Sequence, residues 1–226
     1  MISVGIITAP RPNIYLGNSL DSYFAHWDYP PHIFAEPGSP TAYFHRDRTI
    51  YHQNESRLGC PLNWFSALKW LYHNTDTPWI MICEDDILWR PTSSEKTRAE
   101  LNRIDSDTIG FVSPYCAELC MSEIAPSGWQ ECRQRRGGWC GALSICLPRQ
   151  SAKLFMDNAD LFMFKTAERT ASHRILHLDY AIGEVVRHFN KVIWTHNPTL
   201  VLHMGEESTH QSNTGMEHHI SRRPAL

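Results

Sequence analysis

Residues 79–83 (WIMIC) are apolar at every position, and the next three, Glu84, Asp85 and Asp86, are all carboxylates. A short apolar run with no polar alternate has no solvent face, so it reads as a strand buried in a sheet. The carboxylates must then emerge at the strand's end, where an open sheet has a crevice mouth rather than a core. Three adjacent like charges repel one another. A divalent cation is one compensation that makes such a cluster useful, because Mg²⁺ and Mn²⁺ favour oxygen ligands and usually share a carboxylate with substrate phosphates. A solvated acidic turn is the alternative for an acidic trio in an arbitrary place, and the position directly after a buried strand favours the cation.

The rest of the chain gives that strand neighbours. Residues 2–8 (ISVGIIT) are a second apolar run rich in β-branched side chains, and the two prolines of the following APRP forbid its continuation as a ladder. Residues 13–27 place Tyr15, Leu16, Leu20, Tyr23, Phe24 and Trp27 at helical spacings before Pro30 and Pro31 stop them. Residues 32–35 read as a strand ending in a loop at Glu36, and residues 61–73 as a helix with Pro61 in its first turn and Leu62, Phe65, Leu68 and Tyr72 on one face. Beyond the acidic trio come an apolar trio at 87–89, a short helix at 98–104, strands at 108–113 and 138–147, and a helix start at 149–155. An amphipathic helix at 178–189 and short strands at 191–195 and 198–203 complete the pattern. Residues 114–138 are polar with little periodicity and are expected to form a long surface excursion, and the tail after Gly205 is polar and histidine-rich. Strands alternating with helices specify an α/β fold, an open mixed sheet flanked by helices in a single domain.

Composition narrows what such a domain can do. Lys and Arg number 21 against 24 Asp and Glu, a formal net charge of -3, which excludes a wholly electrostatic nucleic-acid binder and leaves room for a local basic patch. No apolar stretch approaches the roughly 18 residues of a membrane helix, and the N-terminus has neither a basic start nor a cleavage site, so a soluble, cytoplasmic protein is expected. Seven cysteines without an export signal argue for reduced thiols. Cys116, Cys120, Cys132 and Cys140 cluster closely enough to raise a structural zinc site, although they lack the paired two-residue gaps of zinc knuckles. A buried, strand-packed Cys140 is the other reading.

Most of the chain resembles the GT-A glycosyltransferases, nucleotide-sugar-dependent enzymes whose strand-terminal Asp-x-Asp-type motif holds a metal against the donor's diphosphate. ISVGIITAPRP with NIYLGNSLDSYF is similar to the family's first strand and helix, and HIFAEPGSP to its second strand with an acidic end. RLGCPLNWFSALKWLYHNTDTPWIMICEDDILW resembles the family's glycine, Asn-bearing helix (here Asn63), buried strand and acidic motif. GGWCGALSICLPR looks like the glycine-bearing strand that backs the sugar, LHLDYAIGEVV like the acceptor-side acidic helix, and PTLVLHMG like the late strand whose His completes the metal site.

That resemblance implies roles residue by residue. Glu84 and Asp86 take the two ends of the acidic motif with Asp85 between them. Asp86 is the direct ligand of Mn²⁺ or Mg²⁺, and His203 the further ligand or else a structural histidine. Thr8, Arg11 and Glu36 match positions that line the nucleotide's base and ribose, and Gly138 the position behind the sugar. Asp179 is the candidate general base for an inverting transfer, or a helix N-cap, or both. The donor implied is a nucleoside-diphosphate sugar, a UDP-sugar foremost, with residues 1–113 as the donor half, 114–205 as the acceptor half and 206–226 as a tail. Apart from the resemblance, Arg133, Arg135 and Arg136 just before Gly137 form a solvated basic loop or close over phosphate oxygens, and Trp129 stacks on a sugar or base or pins its loop to the core.

The acceptor implied first is a hydroxymethylated pyrimidine in DNA, as in phage-type base glycosylation, read through scattered Arg46, Arg48, Arg57, Arg222 and Arg223 together with the arginine-rich loop. A glycan, a lipid-linked sugar or a protein is the alternative acceptor. Two readings of other classes stand beside the transferase: a metal-dependent nucleotidyltransferase or hydrolase acting at phosphorus, and a sugar-nucleotide-binding protein without turnover.

Overall fold

A computed structural model describes residues 1–40, 47–116, 127–132, 139, 141–173 and 178–204. Along them run β1 (Ile2–Thr8), α1 (Leu16–His26), β2 (His32–Ala35), β3 (Ile50–Gln53), α2 (Cys60–Asn74), β4 (Trp79–Glu84), β5 (Ile87–Trp89) and α3 (Ser93–Arg103). Then follow β6 (Ile109–Ser113), β7 (Gly128–Glu131), β8 (Ser144–Pro148), α4 (Arg149–Asp157), α5 (Ala159–His173), α6 (Leu178–His188), β9 (Val192–Asn197) and β10 (Val201–His203).

β1, buried throughout, and β4, buried up to Cys83, lie side by side in the interior of an eight-stranded sheet of order β3-β2-β1-β4-β8-β6-β9-β7. β1 pairs in parallel with β2 and β4, and its register sets Ile7 against Glu84, so both strands end at one level. β8 enters antiparallel between β4 and β6, β9 runs parallel to β6, and β7 closes the far edge antiparallel to β9. A separate ribbon pairs β10 with β5.

Alternation along the inner strands divides the core into two layers, as a sheet covered on both faces requires. Ile80 and Ile82 face a layer built with Trp64, Ala67, Leu68 and Leu71 of α2, Phe155 of α4, Phe162 of α5 and Ile182 and Val185 of α6. Val4, Ile6, Met81 and Cys83 face the opposite layer, with Leu16, Leu20 and Tyr23 of α1, Trp27, Ile87, Trp89 and Val201. Gly110 of β6 lets α6 approach closely, since a Cβ there would stand 2.3 Å from a Val186 methyl carbon.

Three elements escape the sequence reading. β3 (IYHQ) is an edge strand with half its residues polar, so the apolar signal is weak. β7 (GWQE) runs inside the stretch read as a surface excursion, and it too is an edge strand with one face to solvent. α5 follows α4 after a break at Asn158, where the periodicity of two short helices blurs. Boundaries also move: α3 starts at Ser93 because Ser93, Thr97 and Glu100 bury small or paired polar groups, while β8 starts only at Ser144. No helix among the described residues is long and apolar enough to cross a membrane.

At the β2–β3 edge, His32 Nδ1 and His52 Nε2 lie 3.0 Å apart, and both rings pack on Trp70 at 4.9 and 4.2 Å. Burial, with the neighbouring His52, pushes His32 down from 6.5 to about 4. A histidine depressed in the folded state leaves the unfolded chain to bind the proton first, so stability falls as pH drops from about 6.5 toward about 4. His32→Phe keeps the ring stack and removes that proton, and unfolding midpoints measured at neutral pH and near pH 5 should differ less in the variant than in the parent chain.

Candidate active site

The site assembles where β1 and β4 end together. β1 continues into the loop carrying Arg11, β4 delivers Glu84 and then Asp85 and Asp86, and the antiparallel β8 begins at this same level, so Glu84 N–H donates to Leu143 O at 3.0 Å. The β5–β10 ribbon brings the late strand back: Met204 N–H donates to Asp86 O at 2.7 Å, which sets His203 beside the acidic loop.

The three carboxylates have different partners and different roles. Asp85 is buried and engaged on both oxygens, by the Thr8 hydroxyl and by Arg11 Nη2, so it ties the end of β1 to the end of β4. Burial lifts its pKa to about 6 against the pull of Arg11. Asp86 Oδ2 accepts from Arg11 Nη1 at 2.8 Å and lies 3.2 Å from His203 Nε2, while Asp86 Oδ1 is buried with no hydrogen-bond partner among the described residues. Burial works against ionisation of Asp86, yet the hydrogen bond and charge of His203 together with Arg11 hold it below the ordinary value. Glu84 moves the other way: burial first, then the charges of Asp86 and Asp179, raise it well above the ordinary value.

Arg11 therefore supplies part of the compensation that the sequence analysis assigned to a cation. Its guanidinium forks across two carboxylates, its Cζ sits 5.5 Å from the Tyr15 ring centre, and its Nε–H is buried without a partner. Asp179, in the first turn of α6, accepts from Gly141 N–H at 2.7 Å. Gly141 has φ +115, and a Cβ there would come within 2.6 Å of the Tyr115 ring, so this turn is open to glycine alone. The charge of Asp179 acts on Glu84 and on Cys60, which places the starts of α6 and α2 around the same carboxylates. Cys60 is a site neighbour that sequence reasoning passed over; its one signal was its place at the start of α2 after Gly59, at φ 78.

Other sequence-derived candidates sit elsewhere or do other work. Glu36 accepts at Oε1 from Leu58 N–H at 3.0 Å and Gly59 N–H at 2.6 Å, so it holds the turn that starts α2. Asn63 bridges Phe34 O and Asn54, also a scaffold role. Trp129 donates from Nε1 to Lys96 O at 3.3 Å, which pins β7 to α3. Cys116 and Cys132 are buried. Gly138, Cys120, Cys140, Arg46, the arginines 133, 135 and 136, Arg222, Arg223 and the tail histidines lie outside the described residues.

Among the described residues no three His, Cys, Asp or Glu side chains close into a metal cage. The donor set on offer is the pair Asp86 and His203, with the unpartnered Asp86 Oδ1 as the open position. A carboxylate plus an imidazole, completed by substrate oxygens, suits Mn²⁺ or Mg²⁺ bound together with a diphosphate.

Removing one partner from a buried ion pair strands the other. Asp85→Ala is expected to lower stability by about 3 kcal/mol in urea unfolding, and Arg11→Met added to it should recover part of that loss. Additive losses in the double variant would show that the two side chains are not coupled.

No family model and no curated protein matches the sequence. Solved structures do match in fold. The galactosyltransferase LgtC in complex with donor and acceptor sugar analogs superposes with a TM-score of 0.50 at 12% identity, over 82% of this chain and 70% of that one. An active-site mutant of LgtC gives a TM-score of 0.50 at 13% identity over the same shares. The glycosyltransferase GlyE of Streptococcus pneumoniae TIGR4 gives 0.51 at 10% identity, over 86% of this chain and 45% of that one. With its mixed sheet, its helices on both faces and these neighbours, the chain has the GT-A-like fold of glycosyltransferases.

Proposed function

We propose that the protein is a metal-dependent glycosyltransferase that moves a sugar from a nucleoside-diphosphate sugar, a UDP-sugar foremost, to an acceptor hydroxyl. The observation that carries this reading is Asp86, ionised and buried at the end of an inner strand, with one oxygen unpartnered and His203 3.2 Å from the other. A divalent cation held by Asp86 and His203 would neutralise the charge that builds on the leaving diphosphate.

The chain's own residues supply the rest. Asp85 ties Thr8 and Arg11 together, and so fixes the β1 loop that lines the donor's base and ribose in this reading. Asp179, aimed by the Gly141 N–H, is the residue to take the proton from the acceptor hydroxyl. Residues 1–113 then form the donor half and 114–205 the acceptor half. The free thiols of Cys60, Cys83 and Cys146 accord with a cytoplasmic enzyme.

For the acceptor, a hydroxymethylated pyrimidine in DNA is put first, with a glycan, a lipid-linked sugar or a protein as the alternative, and each is a separate arm of the test. Of the arginines read for a DNA face, Arg48 lies 3.9 Å from the Phe24 ring centre and Arg57, with an exposed side chain, lies 3.7 Å from Glu36 Oε2.

The test incubates the protein with Mn²⁺ and a panel of nucleotide sugars, alone, with oligosaccharides and with hydroxymethylpyrimidine DNA. It detects nucleoside diphosphate and the mass of each acceptor. Release of nucleoside diphosphate that falls roughly 100-fold or more in Asp86→Ala and His203→Ala supports the reading. Asp179→Asn should cut turnover by about the same factor while leaving donor binding intact. Release of pyrophosphate or inorganic phosphate would overturn it in favour of chemistry at phosphorus, and donor binding with no turnover in favour of a binding protein.

A further inference from the structure

Asp86 Oδ2 is shared between Arg11 Nη1 at 2.8 Å and His203 Nε2 at 3.2 Å, and its Oδ1 is buried with no hydrogen-bond partner among the described residues. The Asp86 side chain is 5% exposed and that of Arg11 12%, and Arg11 Nε–H is a second buried group without a partner. A buried carboxylate oxygen without a donor, beside a guanidinium that bonds only the other oxygen, leaves Asp86 a free lone-pair position for a cation.

Asp85 fixes where the arginine stands. With both of its oxygens engaged by Thr8 and Arg11, Asp85 tethers the guanidinium by Nη2 and leaves Nη1 as the arm that reaches Asp86. A guanidinium fork matches phosphate oxygens as well as it matches a carboxylate. A divalent cation needs Asp86 and is repelled by a cation already bonded to it.

We propose that Arg11 is an exchangeable counter-ion: it holds Asp86 while no metal is bound, yields that carboxylate to a divalent cation, and turns the freed arm to the donor's diphosphate. The inference rests on the reading of this site as a metal and donor site. It adds a residue on which metal and diphosphate have opposite demands. Free Mn²⁺ must compete with Arg11, whereas Mn²⁺ arriving with a diphosphate brings the guanidinium a replacement partner, so metal and nucleotide bind cooperatively.

The test measures Mn²⁺ binding by electron paramagnetic resonance, with and without UDP, and UDP binding by calorimetry in the presence of Mn²⁺. Arg11→Met should bind Mn²⁺ alone roughly tenfold tighter than the parent chain and bind UDP roughly tenfold weaker. A purely structural arginine would weaken both when lost. Arg11→Lys keeps the charge and the fold but cannot span two carboxylates, so it should move both affinities in the same directions by a smaller factor. If Arg11→Met does not fold, Arg11→Met with Asp85→Asn, compared with Asp85→Asn alone, gives the same two readouts. Mn²⁺ affinity that is unchanged or weaker in the Met and Lys variants, while the parent binds Mn²⁺ in a UDP-dependent and Asp86-dependent way, overturns the exchange and leaves the metal site standing. No Mn²⁺ binding by any form, with or without UDP, overturns both.

Discussion

Everything at the centre of this molecule depends on how three consecutive carboxylates are kept at the end of a strand that has no polar residue before them. The sheet around β4 is covered on both faces, so the apolar strand is stable there, but its carboxyl end must discharge Glu84, Asp85 and Asp86 into a confined space. Solvation alone does not do it, since Asp85 and Asp86 are 2% and 4% exposed. The protein divides the problem. Asp85 is paired with Arg11 and accepts a hydrogen bond from Thr8, Asp86 is held toward its ionised form by His203 and Arg11, and Glu84 is raised toward its protonated form. One cluster thus holds a structural tie, a ligand-type carboxylate and a protonatable neighbour side by side.

The surrounding packing serves that division. The parallel register of β1 with β4 makes their ends coincide, which is why an arginine three residues past β1 can reach carboxylates more than seventy positions later. The β5–β10 pairing does the same for His203. Gly110 brings α6 close to the sheet, and the Gly141 turn anchors the carboxylate at that helix's start. Each of these residues is far from the others in sequence. Backbone register, rather than any local motif, is what makes them a site.

Much of the architecture was legible beforehand because its signals are local. The runs ISVGIIT and WIMIC, the helical spacing in 13–27 and 61–73, and the alternation of the two element types specify the sheet and its helices without reference to distant residues. The edge strands β3 and β7 were not legible, because an edge strand has one solvated side and short length, and its existence rests on a neighbour that local pattern does not reveal. The backbone partners of Glu36 were not legible either, because only the fold brings the two N–H groups that start α2 to one of its oxygens.

The sequence by itself determined that a buried strand must end in an acidic trio and that some positive charge must answer it, because hydrophobicity and like-charge repulsion are properties of the residues wherever they lie. Which positive groups answer was decided only by the tertiary structure. The Arg11 guanidinium supplies the positive charge and the His203 imidazole a hydrogen-bonding neighbour, and both reach Asp86 from distant parts of the chain because β1 and the β5–β10 ribbon both run to the end of β4. Electrostatic compensation depends on separation in space, and that separation exists only once the strands have paired.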